Sequence, residues 1–137
     1  MAESAGEVSR GLLDTSVVID HDLLEAGALP DESAIAAVTL AQLAAGPHAT
    51  DDPDERSRRQ DRLLWAAATW SPLPFDEVAA RAYGRVFVAV RSSGRTSRSR
   101  LADLLIASTA MAFELPIYTR NAGDFAGLEG LVEIVPI

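Results

Sequence analysis

The chain contains no cysteine, which excludes disulfide bonds and thiolate metal sites. Its only two histidines, His21 and His48, are too few and too far apart in the sequence for a histidine zinc site. No apolar run approaches the length of a transmembrane helix, and the acidic N-terminus lacks the basic and apolar regions of a signal peptide. The protein is therefore expected in the cytoplasm with no membrane partner, and any metal it binds would be oxygen-ligated Mg²⁺ or Mn²⁺.

The composition is that of one globular domain. The chain has 137 residues, of which 48% are hydrophobic and 23% charged. We expect residues 1–9 to be a disordered N-terminal extension and residues 10–137 to form the domain. The net charge of −8 taken alone argues against a nucleic-acid partner. Two considerations weaken that objection. Some of the acidic residues could bind a cation that neutralises them, and several of the arginines are concentrated in one segment.

Short apolar runs alternate with helical patterns along the chain. Apolar runs predict strands at 11–14, 35–38, 73–75, 116–119 and 133–135. Capping residues and helical spacing predict helices over 39–45, 52–70, 76–94 and 99–114, the last apolar on almost all sides. This alternation predicts an α/β domain with a mostly parallel central sheet. Ligands of such sheets bind beyond the carboxyl ends of the strands.

Five polar residues lie where this architecture places sites: Asp14, Gln42, Asp103, Asn121 and Asp124. Asp14 ends the first strand, and Asn121 and Asp124 follow the strand that ends at residue 119. Hydrolysis of a phosphodiester needs an activated water and relief of negative charge, and carboxylate-bound Mg²⁺ supplies both. Because clustered carboxylates repel each other, a converging acidic cluster indicates a bound cation.

Each of these residues also has a purely structural interpretation. Asp14 could cap a helix or turn, and Asp103 could complement a helix dipole. Thr39-x-x-Gln42 is a capping-box pattern, which on spacing alone is the better interpretation of Gln42. The segment 121–124, Asn-Ala-Gly-Asp, has the composition of an ordinary turn. The functional hypothesis depends on all of them together.

Four segments, taken in order, resemble a PIN domain, most closely the VapC toxins of VapBC toxin–antitoxin pairs. They are Leu13-Asp14-Thr15-Ser16, Thr39-Leu40-Ala41-Gln42-Leu43-Ala44-Ala45-Gly46, Asp103-Leu104-Leu105-Ile106-Ala107 and Thr119-Arg120-Asn121-Ala122-Gly123-Asp124-Phe125. The resemblance spans nearly the whole chain. It implies a three-layer α/β/α fold and an Mg²⁺- or Mn²⁺-dependent endoribonuclease toxin that cleaves single-stranded RNA, such as tRNA, rRNA or mRNA. It also implies a cognate antitoxin that covers the site, a homodimer, and contact with DNA only through the antitoxin.

The resemblance also implies roles for individual residues. Asp14 and Asp103 would be the principal metal ligands, and Asp124, supported by Asn121, would hold a second metal or orient water. Supporting hydroxyls near the metal or the phosphate would come from Thr15, Ser16 and Thr119.

Gln42 departs from the family pattern, which has Glu at this position. A Gln amide oxygen can ligate a metal weakly, but it brings no charge and cannot act as a base. Three explanations stand side by side: a deliberate substitution that disarms a toxin, natural variation with activity retained, or decay into an inert protein. We expect lower metal affinity and activity than in a Gln42→Glu version.

The segment 91–100 is the only basic stretch, and its arginines are Arg91, Arg95, Arg98 and Arg100. These arginines are candidate contacts to RNA phosphates. The alternative interpretation, that the segment is only a solvated loop connecting two helices, has about equal weight. The aromatic residues at helical spacing, Trp65, Trp70, Tyr83 and Phe87, are expected to belong to the core. Some of this helical surface could form the groove for a dimer partner or for an antitoxin helix.

Other functions fit the sequence less well. A PIN-fold module that binds an antitoxin but no longer cuts is the main alternative. A nuclease acting on DNA flaps or structured RNA would carry insertions for which this chain is too short. A haloacid-dehalogenase-type phosphatase would need a second Asp where Ser16 stands, and a phospho-receiver domain would need a late lysine that is absent.

Overall fold

A four-stranded parallel sheet forms the centre of the molecule. The computed structural model describes residues 7–94 and 100–137. The strands are β1 (Arg10–Leu13), β2 (Glu32–Ile35), β3 (Ile117–Thr119) and β4 (Ile134–Pro136), in the spatial order β2-β1-β3-β4. Every pairing between them is parallel, so the predicted sheet type is confirmed.

Five α-helices surround the sheet. They are α1 (Thr15–Ile19), α2 (Ala37–Ala45), α3 (Pro53–Thr69), α4 (Glu77–Ser92) and α5 (Leu101–Ala112). Asp52 and Asp76 cap α3 and α4 as predicted, because their carboxylates accept hydrogen bonds from the Asp54 and Ala79 backbone N–H groups. None of the helices in the described part of the chain is both long and apolar enough to cross a membrane.

Successive side chains of β1 belong to two separate hydrophobic cores. Side chains alternate between the faces of a strand, so the fully buried Leu12 and Leu13 point in opposite directions. Leu12 packs with residues of α4 and α5, such as Val86 and Leu104. Leu13 packs with residues of α1, α2 and α3, including Val17. Helices therefore cover both faces, which confirms the expected α/β/α layering.

Close packing at the centre of the sheet leaves no room for a side chain at Gly11. A Cβ atom added there would lie 2.3 Å from Cε1 of Tyr118 on the neighbouring strand β3. Gly11 thus lets the aromatic ring of Tyr118 lie flat against β1.

Two predicted strands differ from the structure. The second strand is Glu32–Ile35 and not 35–38, because α2 already begins at Ala37. The predicted strand 73–75 is reduced to a single bridge between Ala36 and Leu73. Proline on both sides of Leu73 removes the backbone N–H groups that a longer ladder needs.

The N-terminal segment and the basic segment 91–100 are only partly described. Of the predicted extension 1–9, residues 1–6 lie outside the described residues. Ser9 exchanges hydrogen bonds with Asp31, and its carbonyl accepts from the Glu32 N–H at 2.9 Å. Ser99, predicted to begin the last long helix, also lies outside the described residues.

Candidate active site

The carboxyl ends of β1 and β3 bring the first candidate residues together. Leu13 pairs with Tyr118 at the end of the two strands, and the Asp14 N–H donates to the Tyr118 carbonyl at 3.1 Å. Asp14 directly after β1 and Thr119 at the end of β3 therefore lie at the same edge of the sheet, on neighbouring parallel strands. This is the edge at which the parallel topology places ligands.

Asp14 is 97% buried, and both of its carboxylate oxygens are held in place. Its Oδ1 accepts from the Ser16 hydroxyl at 2.6 Å and from the Val17 N–H at 3.1 Å, which makes Asp14 the N-cap of α1. Its Oδ2 accepts from the Thr119 hydroxyl at 2.5 Å. A buried carboxylate oriented by two hydroxyls keeps lone pairs available for one further ligand.

The hydroxyls beside Asp14 are themselves fixed by the backbone that follows β3. The Ser16 hydroxyl oxygen accepts from the Arg120 N–H at 3.1 Å, and the Thr119 hydroxyl oxygen accepts from the Asn121 N–H at 2.9 Å. Their direct role in the structure is to orient Asp14 and to tie α1 to the end of β3. For Asn121, the only hydrogen bonds to described residues are made by its backbone.

Asp103 is the third residue of α5 and is partly buried. Burial, together with the negative charges of Asp124 and Asp14, raises the pKa of Asp103 to about 6, against an opposing effect of Arg100. The three predicted ligands, which come from three elements, therefore act on one another electrostatically. Together they form what we call the acidic cluster: Asp14, Asp103 and Asp124.

Asp124 lies in a short 3-10 turn, Ala122–Phe125, that begins after Asn121. The Arg100 guanidinium donates to the carbonyl oxygens of Asp124, at 2.5 Å, and Gly123, at 3.0 Å. Phe125, fully buried in the core, anchors the turn from its other side. Arg100 therefore clamps the turn that carries the third carboxylate, a positioning role that sequence reasoning missed.

The capping-box interpretation of Thr39 and Gln42 is wrong. Ala36 is the N-cap of α2, and Thr39 lies inside the helix, fully buried. The helix begins earlier than the Thr39 pattern indicated, because the chain leaves β2 already at Ile35. The Thr15 hydroxyl contacts the Thr39 hydroxyl oxygen at 3.1 Å and donates to the Gln42 side-chain oxygen. Gln42 is thus exposed beside the residue that follows Asp14.

The predicted arginine contacts are only partly described. Arg91 is exposed at the end of α4, with its guanidinium carbon 6.0 Å from the centroid of the Phe87 ring. Arg95 and Arg98 lie outside the described residues. The Arg100 guanidinium already binds the backbone of the Asp124 turn. Their contact with RNA phosphate stays a prediction.

The donor set fits a hard divalent cation. Within residues 7–94 and 100–137, no three acidic or histidine side chains lie close enough together to hold a metal ion by themselves. The negative charges of Asp124 and Asp14 nevertheless contribute to the raised pKa of Asp103, so the three carboxylates lie near enough to interact electrostatically. Mg²⁺ is commonly held by one or two carboxylates and keeps several waters, so an incomplete cage of oxygen donors suits it.

Comparison with known proteins finds relatives that match most of the chain. The PIN domain family profile matches residues 11–130. The chain is 39% identical over 132 residues to Ribonuclease VapC5 of Mycobacterium tuberculosis, covering 93% of this chain and 95% of that protein. It is 38% identical over 106 residues to Ribonuclease VapC8 of the same species, covering 77% and 94%.

A solved structure shows the same fold. The chain superposes with a TM-score of 0.82 on the crystal structure of VapBC-5 from Mycobacterium tuberculosis, a member of the VapBC family of toxin–antitoxin systems. The sequence identity is 38%, and the match covers 94% of this chain and 99% of that chain.

Proposed function

Because the chain belongs to the PIN-domain family, among the VapC ribonuclease toxins of VapBC toxin–antitoxin systems, we propose that its acidic cluster carries out metal-dependent cleavage of single-stranded RNA. The observation that carries this proposal is the convergence of Asp14, Asp103 and Asp124 from three separate elements. Burial and the charges of Asp124 and Asp14 raise the pKa of Asp103, an arrangement that is unfavourable for the ionised carboxylates unless a cation compensates it.

Each residue of the cluster has a specific part in this proposal. Asp14, fixed by Ser16 and Thr119, and Asp103, on the first turn of α5, would be the principal ligands of Mg²⁺ or Mn²⁺. Asp124, whose turn Arg100 clamps, would hold a second metal or orient water. When bound, the cation supplies charge neutralisation at the phosphate and an activated water.

The remaining site residues support this arrangement. Thr15 donates to the side-chain oxygen of Gln42 and so holds it beside the cluster, where an amide oxygen can act as a neutral ligand. Asn121 connects Thr119 to the Asp124 turn through its backbone N–H. Arginines of the segment 91–100 would contact RNA phosphates flanking the site.

The proposed partners follow from the family. Among the structures that match this chain, the VapBC-5 structure is of a toxin–antitoxin system. We propose that a cognate antitoxin covers the acidic cluster of this chain, that the protein forms a homodimer in the cytoplasm, and that it meets promoter DNA only through the antitoxin. The RNA class, whether tRNA, rRNA or mRNA, is left to experiment.

A cleavage assay tests the function. The purified chain, Asp14→Asn and the control Asp51→Asn are incubated with a pool of single-stranded RNA in Mg²⁺, in Mn²⁺ and in EDTA. Asn keeps the cap of α1, whereas Asp51 is exposed and outside the cluster. We expect metal-dependent cleavage by the chain and by Asp51→Asn, and none by Asp14→Asn.

The main alternative, an inert module that only binds a partner protein, rests on the neutral side chain of Gln42. It predicts no cleavage by the chain. If Gln42 alone is responsible, Gln42→Glu restores cleavage, whereas a site that has lost its function in other ways cuts in neither protein. Cleavage that persists in EDTA or in Asp14→Asn would contradict the metal-site proposal and point to a contaminating nuclease.

A further inference from the structure

Two neighbouring clefts on the molecular surface lead away from the acidic cluster. The first, of about 350 Å³, is lined by residues of α2 and α3 together with Thr15 and Gln42. The second, also of about 350 Å³, lies between the end of α1 and the face of α3 that carries Trp65. Ile19 and Arg62 line both clefts, so the two form one strip, and one end of it is lined by Thr15, the residue after Asp14.

Arg62 stands at the junction of the two clefts and has no charged partner among the described residues. Arg58 and Arg59, which also line the strip, both pair with Glu55, at 2.8 Å and 2.9 Å. Arg62 is partly buried and makes neither a hydrogen bond nor an ion pair to any residue of the described ranges. A cation held in a cleft without a counter-ion is a candidate binding point for an anion.

Trp65 lies one helical turn beyond Arg62 on α3, so the two side chains share one face of the helix. Contrary to the prediction that this residue belongs to the core, 36% of Trp65 is exposed and its ring lines the second cleft. The His21 and Trp70 rings pack edge-on against it, with centroids 5.0 Å and 5.1 Å away. These contacts hold the indole in one orientation and leave part of its surface open to a ligand.

The charge of the strip also suits a nucleic-acid strand. Its three arginines are balanced by three acids, since Asp22 and Asp61 line the second cleft and Glu55 the first. The chain as a whole carries −8. An anionic strand that approaches the acidic cluster therefore meets less repulsion along this strip than over an average part of the surface.

We propose that Arg62 and Trp65 form a nucleotide subsite beside the acidic cluster, at which Trp65 stacks on a base of single-stranded RNA and Arg62 binds a phosphate of the same strand. Cation-lined grooves with stacking aromatic residues are a general way to bind single strands with little sequence preference. This inference rests on the proposed function, and it gives the substrate a path into the site that does not depend on the basic segment 91–100.

Binding measured without cleavage tests the subsite separately from the activity. The probe is a fluorescently labelled, mixed-sequence single-stranded RNA of about ten nucleotides, within the usual length for such sites. Its anisotropy is followed in EDTA with the chain and with Trp65→Ala, Trp65→Phe and Arg62→Gln. The controls are Leu64→Ala, an exposed neighbour on α3, and Arg81→Gln, an exposed arginine on α4.

We expect Trp65→Ala to weaken RNA binding roughly tenfold or more, and Trp65→Phe to retain most of the affinity, because a phenyl ring still stacks. Arg62→Gln is expected to weaken binding and to reduce the slope of log affinity against log salt by about 0.7, the value for one phosphate contact on a single strand. Both controls are expected to bind like the parent chain.

Three results would overturn the subsite. They are equal RNA affinity for the parent, Trp65→Ala and Arg62→Gln; no measurable RNA binding by the parent; and loss of binding to a co-expressed antitoxin in Arg62→Gln while RNA affinity stays unchanged. The last result would make the strip a protein-docking surface. A cleavage assay of the same proteins in Mn²⁺ separates the two proposals. If the parent cleaves RNA but the variants bind RNA with unchanged affinity, only the subsite proposal fails. If the variants bind RNA more weakly but the parent does not cleave it, only the nuclease proposal fails.

Discussion

Asp14 combines two roles that sequence reasoning treats as alternatives. Its Oδ1 caps α1 through the Val17 N–H, as the structural interpretation expected. The same carboxylate is buried among hydroxyls and acts on the pKa of Asp103. A helix that begins directly after a parallel strand needs a capping side chain at the edge where ligands bind, so one residue can serve both purposes.

The raised pKa of Asp103 predicts a pH-dependent stability in the absence of metal. The carboxyl titrates near 3.8 when unfolded and at about 6 when folded, so the folded state favours its neutral form. The stability from this group is therefore complete below about pH 3.8 and is lost as the pH rises through about 6. In EDTA at pH 7, we expect Asp103→Asn to have a free energy of unfolding about 1 kcal/mol higher than the parent, after allowance for solvent screening. The variant should therefore melt at a higher temperature.

Thermal melting at pH 7 and at pH 5 checks this expectation, with Asp51→Asn as the control for loss of an exposed charge. The gain from Asp103→Asn should shrink at pH 5 and also when Mg²⁺ is added to the parent at pH 7. A gain of the same size at both pH values would show that the pKa of Asp103 is not raised in the folded protein.

Gln42 offers a direct prediction about metal affinity. Gln42→Glu places a carboxylate where the Thr15 hydroxyl already donates to the side-chain oxygen, so the position is preorganised for a ligand. We expect tighter Mn²⁺ binding and faster RNA cleavage, by roughly tenfold for a stabilisation of about 1.4 kcal/mol. Gln60→Glu, the same substitution on an exposed position of α3, is the matched control. Equal rates for the parent and Gln42→Glu would mean that the amide suffices.

At the scale of elements, Glu114 after the end of α5 has a backbone conformation that residues other than glycine disfavour. Glu114 has a φ of 55°, in the left-handed region, and follows the last turn of the helix. The Leu115 N–H donates to the Ala110 carbonyl at 2.9 Å, the bond that closes a Schellman cap in which glycine is usual. We expect Glu114→Gly to stabilise the protein by about 1 kcal/mol.

Chemical denaturation measures this effect. Glu114→Ala removes the same side chain but still disfavours the left-handed conformation, so it is expected to give no such gain. If Gly and Ala raise the free energy of unfolding equally, the benefit comes from loss of the carboxylate and the account of the cap is wrong.

Helices and buried strands were predictable where a local signal marks them. Asp52 and Asp76 mark where α3 and α4 begin, and this signal can be recognised in the sequence because a capping carboxylate acts on the few residues that follow it. The predictions at 35–38 and around Thr39 were wrong, because a run of small apolar residues fits a strand and a helix equally well. Only the pairing of β2 with β1, a tertiary contact, decides where the strand ends.

At the scale of the whole molecule, the position of the acidic residues at strand ends and helix starts was predictable. The hydrogen bonds that hold their segments in place were not. The order of motifs indicates Asp14, Asp103 and Asp124, because each follows a strand or opens a helix in a parallel α/β pattern. The hydrogen bonds of Arg100 to the Asp124 turn join residues 24 positions apart, and nothing local in the sequence signals them. The exposure of Trp65 likewise depends on how α3 packs beside α1.

The central claim is that the acidic cluster binds the divalent cation used for RNA cleavage. Mn²⁺ binding, followed by the electron paramagnetic resonance signal of the free ion, tests it most directly for the chain, Asp14→Asn, Asp103→Asn, Asp124→Asn and the control Asp51→Asn. The account predicts saturable binding to the chain and to Asp51→Asn, and strongly weakened binding in the three cluster variants. Equal binding by all five proteins, or none by the chain and by Gln42→Glu, would contradict it.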